Sequence, residues 1–157
     1  MEVRMRYRGI NYRTPLEAKW AAFFYHLGWG ATYDPFGYGS PTFVLDGGYY
    51  VVVTDAVTPE DYQCDALDNM RDDDLEVIVV GVTPMPRLGE DGYKRYAAGL
   101  LTNKEQYVLY WGEHDGQLVF DGGGRGLFQD VQRLTTAWAK ATNDITGIQN
   151  QKQGSNK

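Results

Sequence analysis

The chain has 157 residues, a length that predicts one domain, and its 43% hydrophobic and 14% aromatic content is enough for a sizeable core. Its net charge of -6, with a sequence pI near 4.8, is unfavourable for a protein whose main task is to hold DNA, because non-specific affinity comes from cation–phosphate contacts. A single cysteine, Cys64, excludes an internal disulfide, and one cysteine with two histidines nearly excludes a zinc cage. No apolar run approaches the ~20 residues of a membrane helix, and the absence of a basic-then-apolar start predicts no secretory leader. The expectation is a cytoplasmic protein in a reducing setting, with no membrane contact.

Arg4, Arg6 and Arg8 alternate with Val3, Met5 and Tyr7, the period of a strand with one charged face, and residues 3–13 are predicted to form a short strand or hairpin around Arg8-Gly9. Residues 15–27 have the marks of a helix. Thr14 suits the N-cap, Pro15 the first helical position, and Glu17 stands three residues on to complete a capping box. Leu16, Trp20, Phe23, Phe24 and Leu27 recur at helical spacing, and Gly28 is placed to end the helix in a left-handed cap. Residues 28–40, with Gly28, Gly30, Pro35, Gly37 and Gly39, read as a loop.

Residues 42–46 and 49–54 read as two strands joined by Asp46-Gly47-Gly48. Pro59 opens a helix over roughly 60–71, and Leu75 to Val80 forms a buried-type strand. Gly81 to Gly92 reads as a loop, and Tyr93 to Leu101 as a short helix. Residues 106–111 and 117–120 form a second hairpin around Asp115-Gly116. Gly122-Gly123-Gly124 is a hinge; with Arg125-Gly126 it lacks the Gly-Lys-Ser/Thr of a phosphate loop. Phe128, Val131, Leu134, Thr135 and Trp138 mark a last amphipathic helix. Residues 1–147 are taken as one domain, and the polar run 148–157 as a disordered tail. The order of elements predicts an α/β (α+β) fold, a mixed sheet flanked by helices.

The run from Tyr7 through Phe24 also carries a specific resemblance. Tyr7, Gly9, Tyr12, Arg13, Thr14, Leu16, Glu17, Ala18, Trp20, Ala21, Phe23 and Phe24 follow the pattern Y-x-G-x-x-F-R-S-x-L-E-A-x-W-A-x-F-F. That pattern opens a group of small phage and actinobacterial proteins of the PD-(D/E)xK restriction-endonuclease-like superfamily. The resemblance covers roughly the first 80 residues. It implies a restriction-endonuclease-like fold and a bacteriophage source. In such proteins an Asp at the end of one strand and a Glu on the next bind a divalent cation, and a Lys two residues later helps position the attacking water.

This chain departs from the pattern at those positions. Pro41-Thr42-Phe43 stands where Pro-Asp-Phe is expected, so Thr42 replaces the metal-binding Asp. The Glu position falls on Val52 or Val53, and the Lys position on Thr54 or Asp55. The resemblance therefore implies the fold and argues against hydrolysis: no catalytic residue, metal or cofactor is expected. Were the protein an active endonuclease with relocated ligands, Glu17, Asp46 and Asp55 would hold Mg²⁺. Each has a plain alternative, Glu17 in the capping box, Asp46 in a turn and Asp55 at a strand end.

Two charged regions compete as binding surfaces. Arg4, Arg6, Arg8, Arg13 and Lys19 are candidates for nucleic-acid contact. Asp65, Asp68, Asp72 and Asp73, within the acidic run 60–76, are candidates for capturing a basic host protein. Both also suit plain solvated surface. His26 is expected to meet the helix C-terminal dipole, and the aromatic loop Tyr33, Phe36, Tyr38 with Tyr49 and Tyr50 to serve core and loop packing sooner than as a base-stacking platform. The preferred expectation is an inactive nuclease-fold protein acting on a host protein, with nucleic-acid binding as the alternative.

Overall fold

The computed structural model describes residues 4–37, 41–55, 57, 76–88, 94–103, 108–115, 117–121 and 131–154. Strand β1 (Met5–Tyr7) pairs antiparallel with β2 (Ile10–Tyr12), Tyr7 opposite Ile10, so Arg8 and Gly9 make a two-residue turn. Their φ values of 49° and 85° are the two positive angles that match a turn's twist to that of its strands. Met5, Tyr7 and Tyr12 are buried while Arg4, Arg6 and Arg8 are exposed. The alternation of the sequence is thus the two sides of this hairpin.

Helix α1 (Pro15–Leu27) starts and stops as its local signals dictate. The Thr14 hydroxyl accepts the Glu17 amide at 3.1 Å. At the far end Gly28 adopts φ 78°, its N–H reaches the Tyr25 carbonyl, and the Trp29 N–H reaches Phe24. Trp20, Phe23, Phe24 and Leu27 are buried and Leu16 packs beside them. The Trp20 indole N–H donates to the Gly81 carbonyl at 2.8 Å, a tie across the core.

The strands that follow are β3 (Ala31–Tyr33), β4 (Phe43–Leu45), β5 (Tyr49–Val53), β6 (Glu76–Val80), β7 (Met85–Leu88), β8 (Lys94–Ala97), β9 (Gly99–Asn103), β10 (Val108–His114) and β11 (Gln117–Asp121). Seven of them form one sheet in the order β11-β10-β9-β6-β5-β4-β3, and β7 and β8 pair separately. All neighbours in the large sheet are antiparallel except β5 and β6, where Val51, Val52 and Val53 lie beside Ile78, Val79 and Val80. The sheet is therefore mixed, and with its helices the chain is an α+β protein.

The last helix, α2 (Val131–Gly154), packs along α1. Leu134, Ala137, Ala141 and Ile145 are buried, with Trp138 and Ile148 partly buried beside them, one stripe at helical spacing. Two polar clusters pin this helix. Arg133 donates to Glu113 on β10 at 2.5 Å and to the Leu27 carbonyl at 2.6 Å. Asp144 accepts the Tyr7 hydroxyl at 3.0 Å and lies 2.8 Å from His26 Nε2. Among the described residues no helix is long and apolar enough to cross a membrane.

Several elements differ from the sequence expectation. The short helix over 93–101 is instead the strands β8 and β9, because pairing of β8 with β7 and of β9 with β6 and β10 outweighs local preference. Gly99 fits that pairing: a Cβ there would run into the Val79 carbonyl oxygen. The expected loops over 28–40 and 81–92 contain β3 and β7. Helix α2 runs to Gly154, through most of the stretch taken for a disordered tail, since Ile145 and Ile148 continue its apolar stripe. The expected helix over 60–71 and the Gly122–Gly124 hinge lie outside the described residues.

Candidate functional site

Two places concentrate the residues singled out by the sequence. The first is at the start of α1, where a helix carboxylate, β3 and the head of β4 meet. Glu17 is buried, and its Oε1 accepts the Tyr33 hydroxyl at 2.5 Å and Arg13 Nε at 3.3 Å. The same Tyr33 oxygen accepts Arg13 Nε at 2.9 Å and the Arg13 backbone N–H at 3.1 Å. The carboxylate is thus directed at β3, and only the Thr14 half of the expected capping box is made. The Tyr33 phenol is pushed up by burial and then by its bond to Glu17, so it stays a neutral donor.

Thr42 lies at the entry to β4 and is buried. Its hydroxyl accepts the Val53 N–H at 3.0 Å, its own N–H donates to Val51, and its carbonyl accepts the Asp34 N–H. The residues where the resemblance puts a metal-binding acid and its neighbour are therefore joined by a structural hydrogen bond. Hard divalent cations want several carboxylate oxygens. Here Thr42 offers a hydroxyl already in use, Val52 and Val53 offer hydrocarbon, and Glu17 already binds a guanidinium and a phenol. These residues do not fit a magnesium site. Among the described residues, no three His, Cys, Asp or Glu side chains are grouped to hold a metal ion.

The relocated-ligand set does not converge either. Asp46 is exposed in the turn before β5, with Gly47 and Gly48 at φ 96° and 89°, and Asp55 is exposed beyond the other end of that strand. Residues 49–53 between them span about 13 Å at the usual strand rise. Asp46 packs against Gly30 and donates its N–H to the Gly30 carbonyl.

The second place is the N-terminal hairpin and the α1 face beneath it. Arg4, Arg6 and Arg8 are exposed, and the Arg8 guanidinium carbon lies 3.7 Å from the centre of the Tyr25 ring. Arg13 and Lys19 do not join them. Arg13 belongs to the Glu17 cluster, and Lys19 is half-buried with its ammonium 5.7 Å from the Trp138 ring centre. Between the hairpin, α1 and β3–β4 lies a groove of about 300 Å³ walled mainly by aromatic rings, among them Tyr12, Tyr25, Trp29 and Phe43. Tyr25 is 50% exposed and Ile10 43% exposed at its edge. Asp65, Asp68, Asp72 and Asp73 lie outside the described residues.

Sequence reasoning read Tyr33 with Phe36 and Tyr38 as packing and missed it as the partner of Glu17, because a bond between a loop and a helix 16 residues away carries no periodic signal. It also passed over Tyr25, whose signal was a large aromatic off the apolar stripe of α1. No protein-family model matches the chain, and no curated protein or solved structure matches it.

Proposed function

We propose that the chain is a nuclease-fold protein of the PD-(D/E)xK type that does not hydrolyse phosphodiesters and acts by binding. The observation that carries this reading is Thr42, whose hydroxyl is engaged by the Val53 N–H where a metal-binding carboxylate is expected. The order of α1, the β4–β5 hairpin and the parallel strand β6 supports the fold assignment. The engagement of Glu17 by Arg13 and Tyr33 supports the loss of hydrolysis, because the one helix carboxylate at this place is already neutralised.

The ligand is nucleic acid, held at Arg4, Arg6 and Arg8. These side chains are exposed on one short hairpin, a concentration of cations that phosphates favour even though the whole chain is acidic. A second reading, capture of a basic host protein, is favoured by the charge of Glu60, Asp61, Asp65, Asp68, Asp72, Asp73, Asp74 and Glu76.

The test has two arms. Incubation with Mg²⁺ or Mn²⁺ is expected to leave plasmid, linear duplex and single-stranded DNA intact. Metal-dependent nicking that survives purification and disappears in Glu17→Gln, Asp46→Asn or Asp55→Asn would overturn the silent-site reading. In the binding arm, low-salt retention of nucleic acid should be lost in the Arg4→Ala, Arg6→Ala, Arg8→Ala protein and unaffected by Asp65→Lys, Asp68→Lys and Asp72→Lys. The opposite pattern, with a basic protein retained instead, selects the second reading.

A further inference from the structure

The turn of the N-terminal hairpin contains an energetic anomaly. Arg8 holds φ 49°, a left-handed conformation that Asn, Asp or Gly adopts at lower cost, and its neighbour Gly9 shows the usual solution. A bulky residue in this region crowds its Cβ against the backbone carbonyl and is disfavoured. A residue kept at such a position despite the cost points to use of its side chain. That side chain folds back so that its guanidinium sits on the face of Tyr25, 3.7 Å from the ring centre. The pair stands at the edge of the aromatic groove, with Ile10 exposed beside it and Trp29 and Phe43 deeper in the wall.

We infer that Arg8 on Tyr25 is a stacking platform for an unpaired nucleobase, and that the hairpin and groove form a single-stranded nucleic-acid site. The chemistry is complementary on both counts. A base is a flat π-system that stacks on aromatic rings and on guanidinium planes alike, and the groove supplies both. The phosphates on either side of that base need cations, and Arg4 and Arg6 are exposed on the other face of the same two-stranded hairpin, where a strand leaving the groove around its edge meets them. Duplex DNA offers its phosphates but keeps its bases stacked on each other, so it uses the arginines and not the groove. Tyr7, which helps wall the groove, is fixed from behind by its hydroxyl's bond to Asp144, so this wall is preformed. The inference rests on the reading of the chain as a nucleic-acid binder, and is independent of whether its nuclease site is silent.

Fluorescence anisotropy at low salt would compare three probes: a labelled thymidine strand, an abasic sugar–phosphate strand of equal length, and a duplex. The wild-type protein is expected to bind the thymidine strand about tenfold or more tighter than the abasic one, the scale of a single base–aromatic stack. Arg8→Lys keeps the charge and loses the plane; it should bring the ratio of thymidine to abasic affinity down to about one. Tyr25→Ala should do the same, and Tyr25→Phe should retain the preference. Arg4→Ala with Arg6→Ala should weaken all probes and flatten the salt dependence for single strands by roughly 0.7 per lost contact. Arg8→Asn should lose the preference with a melting temperature no lower than wild type, which separates lost binding from lost folding. Equal wild-type affinity for all three probes would overturn the groove site and leave the arginine surface standing. A preference that survives both Arg8→Lys and Tyr25→Ala would also overturn it. No binding of any probe would overturn the nucleic-acid reading itself. Displacement of the thymidine strand by an acidic, aromatic peptide that binds more tightly, with the same Tyr25 dependence, would assign the groove to a protein partner.

Discussion

At the scale of single residues, the tyrosines hold the first half of the chain together through neutral hydroxyls. Tyr33 joins Glu17 to Arg13, and Tyr7 reaches Asp144 on the last helix. All three of Tyr7, Tyr12 and Tyr33 have phenols held above the ordinary value of 10.0. Burial is the largest cause in each, followed by the bond to Asp144 for Tyr7, the neighbouring Tyr33 for Tyr12, and the bond to Glu17 for Tyr33. Tyr12 is pushed up to about 12. A group whose pKa is raised on folding contributes stability that is complete below its unfolded value and lost as pH climbs through its folded value. Stability should therefore hold from neutral pH to near 10 with respect to these groups, and fall between there and about 12. Urea midpoints measured across that range check this, and a flat profile would contradict it. Tyr33→Phe should cost about 1–3 kcal/mol at neutral pH, because the Arg13 N–H groups lose an acceptor and the buried Glu17 a donor. It should also reduce the alkaline loss.

At the scale of elements, α1 shows what a sequence can specify without help. Its cap, its proline, its apolar stripe and its terminating glycine are all local, and all of them recur in the structure with the bounds 15 and 27. Trp20 is the centre of that stripe, fully buried against Phe23, Phe24 and Trp138 and bonded to Gly81. Trp20→Ala should destabilise by on the order of 3–5 kcal/mol, with the Gly81 carbonyl left unpaired as well; a thermal melt that does not move would show the stripe is dispensable. The strands were legible in proportion to their own content. Val77 to Val80 is recognisable from composition alone, and the β4–β5 hairpin from Asp46-Gly47-Gly48. In contrast β3 and β9 are short and are defined by distant neighbours, Ala31 by Leu45 and Leu100 by both Val79 and Tyr110. The candidate sites divide in the same way. The arginine alternation was visible as a period of two, whereas the stacking of Arg8 on Tyr25 depends on a turn folding back over a helix, which no spacing encodes.

At the scale of the whole molecule, the C-terminal helix ties the beginning of the chain to its end. Asp144 binds Tyr7 of the first strand and lies against His26 of the first helix, while Arg133 bridges Glu113 on the sheet to the carbonyl that ends α1. These links are long in sequence, so the apolar half of α2 is part of the core and not an appendage. The composition of the stretch from Ile148 onward hides this, because its Gln, Asn, Ser and Lys residues resemble a solvated tail while Ile145 and Ile148 carry the packing. Two truncations separate the contributions. A chain ending after Ile148 keeps Asp144, Ile145 and Ile148, and should melt within a few degrees of the full-length protein, because the buried stripe is kept and the first residues removed, Gln149 and Asn150, are exposed. A chain ending after Asn143 loses the Asp144 cluster and a fully buried isoleucine. Its deficit should be on the order of 3–5 kcal/mol, a large share of the roughly 5–15 kcal/mol that holds an ordinary domain folded. The second truncation should also loosen the N-terminal hairpin, since Tyr7 loses its anchor. Faster amide exchange at Met5–Tyr7 than in the chain ending after Ile148, measured under conditions where both are folded, would locate the effect there. Equal protection of the hairpin in the two truncated proteins would show that α2 supports the core without holding the hairpin.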